Sequence, residues 1–106
     1  MNPNFSEAYY NRASSLYVLG EYGEALLNLE KALELSPNDF QTLHNIGATL
    51  RKLGKLDEAI KYFDMALDAN PNDIKTYRSK GKLLIEIGKV TEAKIIFDKI
   101  RVTNQG

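Results

Sequence analysis

The stretch LGEYGEALLNLEKALELSPND at residues 19–39 returns 34 positions later as LGKLDEAIKYFDMALDANPND at residues 53–73. A third copy, IGKVTEAKIIFDKI, occupies residues 87–100. Every copy carries a glycine in second place and an alanine five positions after it. The prolines of the chain keep the same interval, at Pro3, Pro37 and Pro71. The sequence is therefore built from a unit of 34 residues.

Within each unit the apolar residues recur at steps of three and four, which is typical of one buried helix face. The glycines fall where a first helix has to end, because glycine enters the left-handed conformation without steric penalty. The prolines end the second helix. We expect three helix hairpins, with helices near residues 5–19, 22–35, 39–53, 56–69, 73–87 and 90–101.

Two columns of small residues predict where paired helices approach closely. Aspartates placed after two of the prolines, Asp39 and Asp73, are expected to cap the following helices. The column on the first helices holds Ala13, Gly47 and Gly81, and the column on the second helices holds Ala25, Ala59 and Ala93.

The composition and charge of the chain limit the classes of function that we expect. The 106 residues include 14 basic and 14 acidic side chains and no cysteine, so disulfides, thiolate metal sites and a nucleic-acid partner are not expected. The charge is unevenly spread: residues 1–39 sum to −4 and residues 74–106 to +5. No signal peptide or long apolar segment is visible, so we expect a soluble, cytoplasmic protein without a membrane partner.

The period and the repeated spacing of glycine, alanine and proline resemble the tetratricopeptide repeat family. The resemblance implies an all-α domain over residues 1–106, with repeats at 6–39, 40–73 and 74–106. It also implies a right-handed superhelical solenoid of three stacked hairpins. The third repeat departs from the pattern at Ile100, Arg101 and Gln105, as a terminal repeat would.

Members of this family are mostly scaffolds that hold an extended peptide or a partner helix on a concave face. Carried over to this chain, the resemblance implies a concave face that runs from aromatic to basic. Because its cations converge toward the third repeat, we expect a ligand with acidic residues there and an apolar or aromatic residue near Tyr10 and Tyr17. The residues expected to bind are Tyr10, Asn11, Ser14, Tyr17, His44, Asn45, Lys52, Lys75, Arg78 and Lys82. Asn11 and Asn45 hold equivalent places, and the resemblance implies pairing with a peptide backbone.

Chaperone-binding members of the family grip a terminal carboxylate with a fixed set of lysines and asparagines. The matching places in this chain hold Tyr10, Ser14, Asn45, Lys75 and Ser79. Only Asn45 and Lys75 agree, so no chaperone cofactor role is assigned.

Catalysis is not expected. His44 is the only histidine, so paired-histidine metal spacing is ruled out and no nucleophile motif surrounds it. The pairs Asp64 with Asp68 and Glu30 with Glu34 are interpreted as solvated helix faces. We expect neither a metal nor a cofactor.

One alternative is a structural module that assembles with itself, or a piece of a longer solenoid. The opposed charges of the two ends and the isoleucines Ile95, Ile96 and Ile100 suggest weak association through the terminal repeats. The competing interpretation is a monomer in which residues 102–106 partly cover these isoleucines.

Overall fold

The computed structural model describes residues 5–105, with side chains as far as Val102. Six helices follow one another: α1 (Phe5–Val18), α2 (Tyr22–Leu35), α3 (Phe40–Lys52), α4 (Leu56–Ala69), α5 (Ile74–Glu86) and α6 (Val90–Gln105). No strand occurs between residues 5 and 105. The expected boundaries are met to within one residue, except that α6 runs on beyond its expected end at residue 101.

The turn inside each hairpin is closed by a glycine in the left-handed region, as the sequence predicts. Gly20, Gly54 and Gly88 have φ values of 83°, 82° and 84°. In the first turn, the Glu21 amide donates to the carbonyl of Leu16 at 2.8 Å. This bond and its equivalents in the other hairpins satisfy carbonyls that the helix end leaves unpaired.

Each helix packs against the next one along the chain, and α3 also contacts α5. The helices α1, α3 and α5 thus form one row of the stack, and α2, α4 and α6 form the other. This arrangement confirms the expected solenoid of three stacked hairpins. The core cluster joins all three hairpins through side chains that include Leu29, Ile46, Phe63 and Leu83.

The small residues of α3 and α5 lie directly under aromatic rings. A Cβ atom added at Gly47 would stand 2.7 Å from two ring carbons of Phe63, and one at Gly81 would stand 2.7 Å from the Phe97 ring. Both distances are shorter than any van der Waals contact, so an alanine here needs the ring to move. The sequence predicts that paired helices approach closely, and in the second and third hairpins this occurs where a glycine faces a phenylalanine ring.

The two expected aspartate caps behave differently. Asp39 caps α3, because its carboxylate accepts from the Gln41 amide at 3.2 Å. Asp73 stands at the start of α5, but its carboxylate accepts no backbone N–H there. It accepts instead from the hydroxyl of Thr76 at 2.5 Å.

Ile100 corrects one expectation about the end of the stack. The sequence predicts apolar area at the exposed end, but only 7% of Ile100 is exposed, because it packs inward. Ile95 is 64% exposed and Ile96 is half-buried. The segment at 102–106, expected to cover these isoleucines in part, is helical as far as Gln105, and Val102 is 64% exposed. The side chains beyond Val102 lie outside the described residues.

The six helices are all too short or too polar to cross a membrane, as far as the described residues reach.

Candidate functional site

A cavity of about 420 Å³ opens between α1 and α3. Leu29 of α2 contributes to its lining, and Lys75 borders it from the start of α5. The rest of its lining comes from α1 and α3: Tyr10, Ala13, Ser14, Tyr17, Val18, His44, Asn45, Ala48 and Thr49.

Six of the ten residues that the sequence selected for binding line this cavity: Tyr10, Ser14, Tyr17, His44, Asn45 and Lys75. Asn11 lines a separate hollow of about 260 Å³ near the start of α3. Lys52, Arg78 and Lys82 are exposed on α3 and α5 outside the cavity. The sequence missed Val18 and Thr49, because neither has a charge or an amide to draw attention to it.

We call this cavity, together with the adjoining face of α5, the groove. A hydrogen bond between α1 and α3 organises the side of the groove that Tyr10 and Tyr17 line. The Asn45 side-chain amide donates to the phenolic oxygen of Tyr10 at 2.8 Å. The resemblance implies that the Asn45 amide pairs with a bound peptide, but one of its N–H groups is already used in this bond within the chain. The side-chain carbonyl oxygen of Asn45 remains as an acceptor, and the Tyr10 hydroxyl keeps its own proton to donate.

His44 lines the cavity but is almost wholly buried. Only 6% of it is exposed, although the sequence suggested an open binding residue. Its Nδ1 lies 2.9 Å from the Thr76 hydroxyl, and its ring stands 5.4 Å from that of Phe63, between centroids. Burial lowers the pKa of His44, and the nearby Lys75 charge lowers it further, while the Asp73 carboxylate opposes both.

Thr76 and Asp73 position His44, and sequence reasoning did not select either of them for the site. The spacing of an aspartate and a threonine three residues later occurs twice, at Asp39 with Thr42 and at Asp73 with Thr76. This repeated spacing was the sequence feature by which Asp73 and Thr76 could have been noticed. It indicates a local hydrogen bond at a helix start, but it gives no hint that Thr76 also reaches His44.

The four basic residues expected in the groove, Lys52, Lys75, Arg78 and Lys82, form no ion pair with any described residue. By contrast, two other cations of α3 and α5 are neutralised: Arg51 pairs with Glu86, and Lys80 pairs with Asp64. The row formed by α1, α3 and α5 therefore keeps positive charge that is available to a ligand.

No cluster of acidic or histidine side chains between residues 5 and 105 is arranged to hold a metal ion.

The stacked hairpins and the groove along one row of helices define the chain as a helical-repeat scaffold. The sequence profile of the tetratricopeptide repeat matches residues 4–72, and a second profile of the same description matches residues 44–101. The chain belongs to the tetratricopeptide repeat family.

Solved structures of similar fold include several of MamA. MamA 41-end from Desulfovibrio magneticus RS-1 superimposes with a TM-score of 0.91 at 23% identity, over 98% of this chain and 59% of that one. A point mutant of MamA gives a TM-score of 0.82 at 28% identity, over 93% of this chain and 72% of that one. The chain spans 61% and 59% of the first two MamA structures it matches.

A third similar structure is the second tetratricopeptide repeat domain of Spaghetti (RPAP3), which was solved with the HSP90 peptide SRMEEVD bound. It superimposes with a TM-score of 0.86 at 19% identity, over 92% of this chain and 91% of that one. At this identity the likeness concerns the fold. No curated protein sequence matches the chain.

Proposed function

We propose that the protein is a non-catalytic scaffold that binds an extended peptide, or a helix of a partner protein, in the groove between α1, α3 and α5. The ligand carries an apolar or aromatic residue and, toward α5, at least one acidic residue. The observation that carries the proposal is the groove cavity of about 420 Å³, with Tyr10 and Tyr17 on one side and Lys75 on the other.

The aromatic side suits a large apolar side chain. Tyr17 is half-buried and stacks edge-on against Tyr22, with 5.2 Å between the ring centroids. Val18 borders the cavity and is 84% exposed. A ligand that covers this surface gains hydrophobic free energy, at roughly 25 cal/mol for each Å² of apolar area removed from water.

The basic side suits a carboxylate. Lys75 borders the cavity, and Arg78 lies nearly one helical turn further along α5. Neither cation is paired with a described residue, so a ligand carboxylate does not have to displace an existing partner. Lys52 and Lys82 add positive charge on the same row of helices.

The test uses short acetylated peptides with one leucine or phenylalanine and two glutamates at varied spacing, and matched peptides with glutamine in place of glutamate. Titration calorimetry measures Kd for each. We expect the acidic peptides to bind more tightly, and added salt to weaken them by screening. The double variant Lys75→Glu with Arg78→Glu should raise their Kd at least about tenfold, which equals about 1.4 kcal/mol.

The matched control is Lys31→Glu with Lys61→Glu, which makes the same change in net charge on the outer helices α2 and α4. Its Kd should stay close to that of the unchanged protein. Equal binding of the acidic and glutamine peptides, or equal loss in both double variants, would contradict the groove as the binding site.

A second candidate function is weak self-association through the outermost helices. It is favoured by exposed apolar residues in both end hairpins, Val18 and Leu19 in the first and Ile95 in the last, combined with the opposed charge of the two ends. The contact would join different surfaces, so it would propagate head to tail unless it closes.

A further inference from the structure

His44 is held in one tautomer by the residues that start α5. The Thr76 hydroxyl has a single proton, and it donates that proton to the Asp73 carboxylate at 2.5 Å. Toward His44 the same oxygen can therefore only accept. The contact of 2.9 Å must then be an Nδ1–H donor on His44, which leaves Nε2 of the neutral ring without a proton.

The Nε2 atom is accessible to solvent. It has no hydrogen-bond partner among the described residues, and none of their buried side-chain nitrogens or oxygens lacks one. The atom must then be reachable by solvent even though the residue is 6% exposed. His44 borders both the main cavity and a hollow of about 110 Å³ beside it, and Lys75 borders the same two spaces.

The groups around the imidazole can be named element by element. From α5 and the residue before it come Lys75 and Asp73, which act on the ring in opposite directions. From α1 comes Tyr10, which lines both spaces. From α4 comes Phe63, which does not titrate. In the free protein, burial and then the Lys75 charge hold the pKa of His44 below its usual value of about 6.5, so the neutral ring predominates near pH 7.

We propose that a ligand carboxylate bound beside Lys75 also accepts a hydrogen bond from Nε2 of His44, and that the imidazole takes up one proton from solvent as the complex forms. This inference rests on the proposed function. The carboxylate neutralises the Lys75 charge that disfavours protonation and supplies the acceptor that the new Nε2–H needs. One N–H bond forms, the solvent buffer loses the proton, and the Nδ1–H bond to Thr76 is kept.

The consequence is a groove that senses pH through its ligand. Linkage requires that a complex which takes up a proton becomes tighter as pH falls through the pKa of His44 in the complex. Affinity levels off below the pKa of His44 in the free protein. The useful window lies above about pH 5, because glutamate on the peptide begins to protonate below it.

The first experiment is calorimetry of the tightest acidic peptide at about pH 6.5, in two buffers with different heats of ionisation. The difference in heat gives the number of protons taken up. We expect net proton uptake for the acidic peptide and none for its glutamine counterpart. The variant His44→Gln should bind the acidic peptide without proton uptake and with little change of Kd between about pH 7.5 and about pH 5.5.

The second experiment needs no variant, because His44 is the only histidine in the chain. Nitrogen-15 NMR of its imidazole reports both the tautomer and the pKa. We expect the Nδ1–H tautomer in the free protein and a higher pKa in the complex. An Nε2–H tautomer in the free protein, or an unchanged pKa, would overturn the inference.

The two failures are distinct. If the acidic peptide binds, responds to Lys75→Glu with Arg78→Glu and takes up no proton, the proposed function stands and the role of His44 is wrong. If no acidic peptide binds between about pH 5.5 and about pH 7.5, both are wrong.

Discussion

At the level of single residues, hairpin packing depends on the fit between a small residue on the first helix and a large side chain that faces it from the second helix. The same column is glycine in the second and third hairpins, opposite Phe63 and Phe97, and alanine in the first hairpin, where Leu29 takes the place of the rings in the repeat. Leu29 and Phe63 are 2% and 1% exposed, so neither side chain can turn aside. A larger side chain on one helix therefore requires a smaller one on its partner.

This pairing predicts the result of a double-mutant cycle. In an ordinary helix interior, glycine to alanine stabilises by about 1 kcal/mol. Gly47→Ala should instead destabilise by about 1–3 kcal/mol, because its Cβ overlaps the Phe63 ring. In the Phe63→Leu background the same change should recover its stabilising sign. Urea unfolding of the four proteins measures the coupling, and additive effects would show that the ring and the glycine are independent.

His44 predicts how stability depends on pH. Its pKa is lowered in the folded protein, so the unfolded chain binds the proton more readily. The stability that His44 contributes is present above its ordinary pKa of about 6.5 and is lost as pH falls through the lowered value. Urea unfolding at about pH 7.5 and about pH 5.5 should show a larger loss for the unchanged protein than for His44→Gln. Equal losses would mean that His44 titrates alike in both states.

Some residues of the candidate site could be predicted from the sequence and others could not. Lys75, Tyr10 and Asn45 could be found because each lies at a fixed place in a repeated helix. The burial of His44 could not, because it depends on Thr76 from the next hairpin and on Phe63 from the paired helix. Such contacts are absent from a pattern that describes one helix at a time.

At the scale of the helix pair, periodicity predicts the fold closely because each boundary has a local cause. Glycine ends the first helix, a glutamate stands in the first turn of the second, and proline follows its end. The end of α6 could not be predicted because it lacks such a local cause. No proline stops it, and the helix continues to Gln105. Asp73 does stand at a helix start, but its partner there is a side chain.

The contact between α3 and α4 can be tested by overpacking. Ala59 is fully buried, so Ala59→Leu should lower the free energy of unfolding by about 1–3 kcal/mol. Ala69→Leu, at the exposed end of the same helix, is the matched control and should change stability by less than about 0.5 kcal/mol. A neutral Ala59→Leu would place the helix contact elsewhere.

At the scale of the whole molecule, the described residues form an elongated stack of 43 × 30 × 19 Å with unlike ends. The outer helix α6 exposes Lys94 and Arg101 where α2 has the apolar Leu26 and Leu33. Both cations pair with Asp98, and the hydrogen bond from Lys94 lowers the pKa of that carboxyl. The surface that would receive a further hairpin is thus more polar than the surfaces inside the stack.

Head-to-tail association is accordingly predicted to be weak and dependent on salt. Sedimentation velocity over a concentration series should show growth at low salt that Ile95→Glu abolishes, because Ile95 is an exposed apolar residue on α6. The exposed Ala69→Glu on α4, which also adds one negative charge, serves as the control. A constant monomeric coefficient at every concentration and salt level would eliminate this association.

We propose that the row of α1, α3 and α5 binds an acidic, partly apolar peptide. The most direct test of this proposal is a backbone NMR titration with the tightest acidic peptide, followed residue by residue. We expect the largest amide shifts at Tyr17, Asn45 and Lys75, and no change on the exposed faces of α2, α4 and α6. Shifts concentrated on the outer helices, or on the ends of the stack alone, would contradict it.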